Sequence, residues 1–201
     1  TNAPTPAPTN APTPAPTPQP TPAPTPIEQT FQTQVSGSSD DGEELDKSAV
    51  RLSNTELRIG SSRKLTALRF ADVTIPRGAT ILSAKVKMYV SGNPTSSVSL
   101  RYSGEKVGQS AAFSTAKGSL SARKKTTSTV SSVPANWTLG SQAASPELNT
   151  VVGEIVSQSS WSSGNELTIF IANNSSSSYR KIGSVETAAT KAATLEVRWL
   201  P

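Results

Sequence analysis

Apolar and polar residues alternate along several short stretches of this chain, and the alternation is clearest at residues 81–91. There Ala84, Val86, Met88 and Val90 are separated by polar or amphipathic side chains. Because successive side chains of a β-strand point to opposite faces, this pattern predicts a strand with one face in the core. The same pattern predicts further strands at residues 27–35, 49–52, 56–59, 65–73, 97–103, 166–172 and 194–200.

One helix signal follows this series of strands, and it begins at Ser145-Pro146-Glu147. Serine is a favoured N-cap, proline is favoured at the first helical position, and an acidic residue is favourable in the first turn. Apolar residues then recur with helical spacing up to Val156. The sequence therefore predicts a helix that starts after Ser145 and ends near Ser157.

Many short strands with one helix predict a mainly β fold, and specifically an antiparallel jelly-roll-like β-sandwich with one short helix. The last strand of such a sandwich commonly pairs beside the first. Leu195, Val197 and Trp199, in the last predicted strand, are therefore expected to lie in the core.

The first 26 residues do not follow the strand pattern and instead repeat every four residues (TNAPTPAPTNAPTPAPTPQPTPAPTP). Proline fixes φ near −65° and pushes the preceding residue toward extended geometry, so these prolines predict a polyproline II rod. Such a rod would be roughly 80 Å long, about twice the expected diameter of the remaining domain. The sequence thus predicts a polyproline arm at residues 1–26 and a β-sandwich domain at residues 27–201.

Hydroxyl-bearing residues occur all along the arm. A four-residue repeat on a helix with three residues per turn brings threonines to every face, which predicts O-glycosylation of threonines and hydroxylation of prolines. The candidates are Thr5, Thr9, Thr13, Thr17, Thr21, Thr25, Pro4, Pro6, Pro8, Pro12, Pro14 and Pro16. In the domain, the N-glycosylation pattern occurs at Asn136, Asn173 and Asn174.

Cysteine and histidine are both absent from the chain. The commonest general base, the thiolate nucleophile and the usual transition-metal ligands are therefore missing, and only Glu154 and Glu166 suggest a carboxylate pair. We predict that the chain is not an enzyme. No run of 18 apolar residues occurs, while serine and threonine are abundant. This composition is typical of a secreted, extracellular or cell-surface protein without membrane insertion.

Charge is distributed unevenly: the formal net charge is +5, yet acidic residues cluster at 40–46. Asp40, Asp41, Glu43 and Glu44 offer several hard oxygen ligands within five residues, so one hypothesis is a structural calcium ion, with no other cofactor expected. Two alternatives are a solvated face and docking on a basic patch such as residues 123–125 of a neighbouring copy. Few aromatic residues accompany the basic ones, so nucleic acid is not expected as a partner.

The tryptophans are the candidates for stacking on a sugar ring. Trp137, Trp161 and Trp199 can serve either in such a site or in the core, where tryptophan is more common in a sandwich. Trp161 lies within the polar sequence SSWSSG. It is therefore the tryptophan expected to be exposed, and the sugar-stacking candidate.

Four segments together resemble a known family, the DNRLRE domain. They are SSDDGEE at 38–44, ELRIG at 56–60, LRFADVTIPRGATILSAKV at 68–86 and SPELNTVVGEIVSQSSWSSGNELTIFI at 145–171. This secreted β-sandwich module is similar to carbohydrate-binding modules, so the resemblance implies a jelly-roll-like sandwich with a non-catalytic binding or adhesive role. The arm resembles instead the Ala-Pro and Thr-Pro glycomodules of hydroxyproline-rich wall glycoproteins.

Two functions are consistent with this organisation. The first is a structural subunit of an extracellular glycosylated filament or sheath, a homopolymer assembled through the arm and the head. The alternative is a non-catalytic carbohydrate-binding or adhesion module on a stiff glycosylated spacer, with glycans or extracellular polysaccharide as partners. Burying a preformed rod costs little chain entropy, which favours the filament.

Overall fold

The computed structural model describes residues 1–5, 25–46, 48–61 and 64–201. Within these ranges the strands are β1 (Gln29–Gln34), β2 (Asp41–Leu45), β3 (Val50–Arg51), β4 (Glu56–Ile59), β5 (Lys64–Val73), β6 (Thr80–Gly92), β7 (Leu100–Glu105), β8 (Lys125–Ser132), β9 (Gln142–Ala144), β10 (Asn165–Asn173), β11 (Arg180–Gly183) and β12 (Thr194–Leu200). The helix α1 spans Asn149–Val156, and a 3-10 helix spans Ala189–Lys191. The prediction of a mainly β fold with one short α-helix is confirmed for the described residues.

The strands form two antiparallel sheets. Sheet 1 has the order β1-β12-β6-β11-β4, and β9 adds to β6. Sheet 2 has the order β3-β2-β5-β10-β7-β8. No helix in the described ranges combines the length and the apolar character that crossing a membrane requires.

The main core consists of the inward-facing side chains of the strands together with helix α1. On β6, Ala84, Val86, Met88 and Val90 are fully buried, as the alternation predicted. In sheet 2, Leu68 on β5 is equally buried. Apolar side chains on one face of each sheet thus leave water together, which is the main driving force for this fold.

A smaller apolar cluster covers the other face of sheet 2. Phe113 and Leu120, from the segment between β7 and β8, pack with Val50, Ala67 and Phe170. Central strands β5 and β10 are consequently buried on both faces. This double burial explains why residues 167–171 (LTIFI) are all buried instead of alternating.

The first and last strands pair with each other, as predicted. Phe31 on β1 lies opposite Val197 on β12, and β12 continues the sheet to β6. Leu195 and Val197 are buried. Trp199 packs against the core but stays partly exposed, so the expectation of a core position is met only in part for this residue.

The helix begins later than predicted, at Asn149, and Ser145 is not its N-cap. Residues 142–144 pair with β6, and Ser145 continues this contact because its Oγ accepts a hydrogen bond from the Val86 N–H (3.0 Å). Glu147 likewise accepts from the Ala84 N–H (3.2 Å). The side chains that the sequence pattern assigned to the start of the helix therefore bind the backbone of β6, and α1 begins beyond them.

Candidate functional site

Most of the acidic cluster at 40–46 lies on strand β2, inside sheet 2. This strand pairs with β3 on one side and with β5 on the other. Asp41, Glu43 and Glu44 are only 1 to 2% exposed. The hypothesis that these carboxylates form a solvated face is therefore wrong. Carboxylates are rarely buried without partners, so their environment needs a chemical explanation.

Glu43 and Glu44 bind backbone donors in two different parts of the chain. Glu43 Oε2 accepts a hydrogen bond from the Arg58 N–H (3.0 Å). Glu44 Oε2 accepts from the N–H groups of Leu120 (2.9 Å) and Ser121 (3.1 Å). Charge-assisted bonds of this kind compensate for the lost hydration of a buried carboxylate. Both side chains thus anchor other segments to β2.

Asp40 has a charged partner within the same chain. Its Oδ1 forms an ion pair with Arg69 Nη1 (2.6 Å), and Arg69 Nη2 reaches Glu166 (3.2 Å). Arg69 Nε also donates to the Ser110 carbonyl oxygen (2.9 Å). The guanidinium group therefore joins β2 to β10 and to the segment after β7, and Asp40 serves in that connection.

Asp41 differs from its neighbours because one of its oxygens has no donor. The Val185 N–H donates to Oδ2 (2.9 Å), while Oδ1 is buried without a hydrogen-bond partner. Burial is the largest cause that raises the pKa of Asp41 to about 7, and the nearby Glu186 and Asp40 add to it, while the Val185 N–H lowers it. Near neutral pH this carboxyl group is therefore partly protonated in the folded protein.

The predicted calcium ligands do not converge on one point. Asp40, Glu43 and Glu44 each meet a different protein partner. Among the described residues, no group of three or more acidic side chains is placed to hold a metal ion. Calcium binding by the full set of Asp40, Asp41, Glu43 and Glu44 thus receives no support from the geometry.

The basic patch at 123–125 also has partners within its own chain. Arg123 pairs with Glu105 (2.8 Å), and Lys125 Nζ donates to the carbonyl oxygens of Leu120 (3.2 Å) and Ser121 (3.2 Å). Burial lowers the pKa of Lys125, although nearby Glu44 and Glu105 raise it. Asp41, Glu43 and Glu44 are buried, and Arg123 and Lys125 have partners within the chain, so docking of the acidic segment on this patch in another copy receives no support from the geometry of these residues.

Trp161 is 2% exposed, so the expectation of an exposed ring is wrong. Its ring packs in the main core beyond the end of α1, and Nε1 donates to the Ile75 carbonyl oxygen (2.9 Å). The polar residues around it form the turn that brings the ring inward. Trp161 is therefore not available to stack on a sugar.

A buried arginine that sequence reasoning missed organises the loop at 133–140. Arg180 is 1% exposed and donates to the carbonyl oxygens of Ser96 (2.9 Å), Ala135 (2.8 Å) and Pro134 (3.1 Å). Its guanidinium carbon lies 4.6 Å from the centre of the Trp137 ring. Burial lowers the pKa of Arg180. No sequence pattern marks this residue, because its acceptors are backbone oxygens from distant segments.

The predicted N-glycosylation residues differ in accessibility. Asn136 and Asn174 are exposed, and the Asn174 side chain donates to Ser99 (3.2 Å). Asn173 is half-buried, and its Oδ1 accepts hydrogen bonds from the N–H (2.9 Å) and Oγ (2.8 Å) of Ser176. The geometry thus favours Asn136 and Asn174 over Asn173 as acceptors.

The arm candidates fall into two groups. Pro4, Thr5 and Thr25 are exposed. The others, Thr9, Thr13, Thr17, Thr21, Pro6, Pro8, Pro12, Pro14 and Pro16, lie outside the described residues. After the arm, Ile27 is 74% exposed and leads directly into edge strand β1.

The outer face of sheet 1 carries two rows of polar side chains, which we call the polar ladder. The rows are Thr30-Arg198-Ser83 and Gln32-Glu196-Lys85, read across β1, β12 and β6. They line a shallow groove of about 290 Å³. Hydroxyl, amide and charged groups on a flat sheet face offer the hydrogen-bond donors and acceptors that a sugar polymer requires.

Glu154 and Glu166, the two carboxylates considered for catalysis, have separate partners. Glu154, on α1, accepts from the N–H groups of Thr127 (2.9 Å) and Ser128 (2.7 Å), and pairs with Lys106 (2.9 Å). Burial raises the pKa of Glu154, but these donors outweigh it and lower the pKa to about 2. Glu154 thus covers the backbone of edge strand β8, a structural use of the carboxylate.

Acid should weaken the fold through Glu154. Because its folded pKa of about 2 lies below the ordinary value of 4.5, its stabilisation is present above pH 4.5 and is lost as the pH falls toward 2. Glu154→Gln should reduce the free energy of unfolding at pH 7 by about 1–2 kcal/mol, allowing for partial exposure. Urea unfolding at pH 7 and pH 3 measures this, with Glu28→Gln as an exposed control. A variant with the wild-type difference between the two pH values contradicts the assignment.

No protein-family model matches this chain, and no curated protein matches it either. The resemblance to the DNRLRE domain therefore rests on the sequence segments at 38–44, 56–60, 68–86 and 145–171. Any functional conclusion has to come from the surfaces and contacts of the chain itself.

Proposed function

We propose that this chain is a structural subunit of an extracellular glycosylated filament or sheath, a homopolymer assembled through its polyproline II arm and jelly-roll-like head. The main observation in support of the proposal is that the arm joins the head at an edge strand. The arm leads through exposed Ile27 into β1, which lies at the edge of sheet 1. The end of the proposed arm and an edge of the sheet therefore lie next to each other in the chain.

The edge itself supports assembly. β12 pairs with one side of β1, and no strand in the described part of the chain pairs with the other side. An unpaired edge offers backbone N–H and C=O groups to another chain. Proline has no backbone N–H, so the arm cannot form the regular backbone hydrogen bonds of an added strand. Another copy would therefore contact the edge through its residues 27–35, which contain no proline and have backbone N–H donors.

The length and chemistry of the arm also support assembly. A rod of roughly 80 Å reaches well beyond a head about 35 to 40 Å across, so it meets other molecules when copies are crowded together. The arm carries no charged side chain and little conformational entropy to lose. Glycans on Thr5, Thr25 and the other arm threonines would keep such a polymer hydrated at the cell surface.

Deleting residues 1–26 should convert the polymer into monomeric heads, because the deletion removes the segment that connects copies. Light scattering gives the mass, and electron microscopy shows whether filaments form. A matched control replaces residues 1–26 with a glycine-serine linker of equal length. Native filaments from the truncated protein would show that the arm is only a decorated spacer.

A second function, carbohydrate binding, is favoured by the polar ladder. Its side chains surround an open groove on the outside of sheet 1, close to the point where the arm joins the head. In this case the head without its arm should still bind an extracellular polysaccharide, and Arg198→Ala with Gln32→Ala should abolish binding. Affinity electrophoresis of the truncated head therefore discriminates the two functions.

A further inference from the structure

A carboxyl group of sheet 2 and one from the segment after β11 meet next to a surface cleft. Asp41 lies on β2, and Glu186 lies in the segment that follows β11. They are within hydrogen-bonding reach of each other. Asp41 Oδ1 and both oxygens of Glu186 are nevertheless buried without any hydrogen-bond donor. Three adjacent carboxylate oxygens thus lack a partner in the protein.

Asp41 differs from the other buried carboxylates of β2 because one of its oxygens has no hydrogen-bond donor. Glu43 and Glu44, on the same strand, each accept backbone hydrogen bonds, which offset the cost of their burial. Two adjacent carboxylates without donors repel each other, and their desolvation is not compensated. Arg51 lines the cleft as Glu186 does, yet the two Glu186 oxygens have no hydrogen-bond partner. The pair is therefore satisfied either by a proton held between the two carboxyl groups or by a cation from outside the chain.

We propose that Asp41 and Glu186 form a binding site for a divalent cation that prefers oxygen ligands, and that the bound ion is Ca²⁺. The unpartnered atoms are all carboxylate oxygens, which are the preferred ligands of Ca²⁺. Glu186 lines a cleft of about 640 Å³, together with Ser38, Ser39 and Asn54. The cleft has room for the waters that would complete a coordination shell of six to eight oxygens.

The ligand set differs from the one that the sequence suggested. Asp40, Glu43 and Glu44 are used by protein donors, whereas Glu186 lies 145 residues from Asp41 and follows a strand of sheet 1. An ion bound between these two side chains would therefore cross-link β2 of sheet 2 to the segment after β11. This role does not depend on assembly of the head through its arm.

The full-length protein, treated with chelator and kept at pH 8, tests the proposal by calorimetric titration with CaCl₂. We expect one ion per chain, and a melting temperature several degrees higher in Ca²⁺ than in EGTA. Glu186→Gln and Asp41→Asn should each weaken binding at least tenfold. Glu28→Gln, which changes an exposed carboxylate, should bind as the wild type does. Because Glu186 is the less buried ligand, its variant remains informative if Asp41→Asn does not fold.

Three results would overturn the site. One is the absence of binding heat together with equal melting temperatures in Ca²⁺ and EGTA. Another is wild-type affinity in folded Glu186→Gln. A third is a melting temperature that depends on pH but not on Ca²⁺, since this would show that a shared proton, and not a metal ion, satisfies the two carboxyl groups.

Discussion

Replacing Arg180 by methionine is expected to lower the free energy of unfolding by about 3–5 kcal/mol. Methionine keeps most of the apolar volume but removes the donors for the carbonyl oxygens of Ser96, Pro134 and Ala135. It also removes the contact with the Trp137 ring, worth about 1–2 kcal/mol at a desolvated site. Urea unfolding monitored by tryptophan fluorescence measures both the loss of stability and the environment of Trp137.

Two control variants accompany this test, one that keeps the positive charge without the guanidinium group and one that removes an exposed arginine. Arg180→Lys keeps the charge but cannot present donors to three carbonyl oxygens in a planar fork, so it should recover only part of the stability. Arg101→Met changes an exposed arginine and should alter stability by less than about 0.5 kcal/mol. If Arg180→Met stays within about 1 kcal/mol of the wild type, the cost of burying the guanidinium cancels its bonds.

The predicted strands were correct where burial depends on the local sequence. On β6 the alternation of Ala84, Val86 and Met88 with polar residues is enough, because one face of the strand meets the core and the other meets solvent. The predicted pairing of the last strand with the first is likewise present between β12 and β1. Both conclusions use only the period of the pattern and the order of the strands.

The predictions failed where a polar or aromatic side chain finds its partner far away in sequence. Glu44 accepts from Leu120, 76 residues later, and Trp161 donates to Ile75, 86 residues earlier. Local composition around both residues is polar, so a single-sequence pattern assigns them to the surface. Their burial becomes acceptable only through donors and acceptors that the fold brings to them.

The candidate site was predictable only in part, for the same reason. The clustering of acids identified Asp41 as a possible ligand, but nothing near Glu186 in the sequence connects it to that cluster. The tetrapeptide repeat of the arm, in contrast, is fully visible in the sequence, and its predicted conformation follows from the stereochemistry of proline alone.

Glu44→Ala should destabilise the protein by about 3–4 kcal/mol, because it leaves one buried and one partly buried backbone donor without an acceptor. The donors are the N–H groups of Leu120 and Ser121. This segment carries Leu120 onto the outer face of sheet 2, where it packs with Phe113 and Phe170. Losing the anchor should therefore loosen the cover over sheet 2 more than the main core. Amide hydrogen exchange should accelerate at Leu120 and Ser121 before it does at the strands.

Glu44→Gln separates the loss of charge from the loss of the acceptor. The amide oxygen still accepts one or both N–H groups, so this variant should lose only about 1–2 kcal/mol and keep slow exchange at Leu120. Glu196→Ala, on the polar ladder, removes a more exposed carboxylate with Lys87 as its partner and should change stability by about 0–1 kcal/mol. Unchanged exchange at Leu120 and Ser121 in Glu44→Ala would mean that the apolar packing alone holds the cover in place. The buried carboxylate would then be neutral to stability, with its desolvation cost cancelling its two hydrogen bonds.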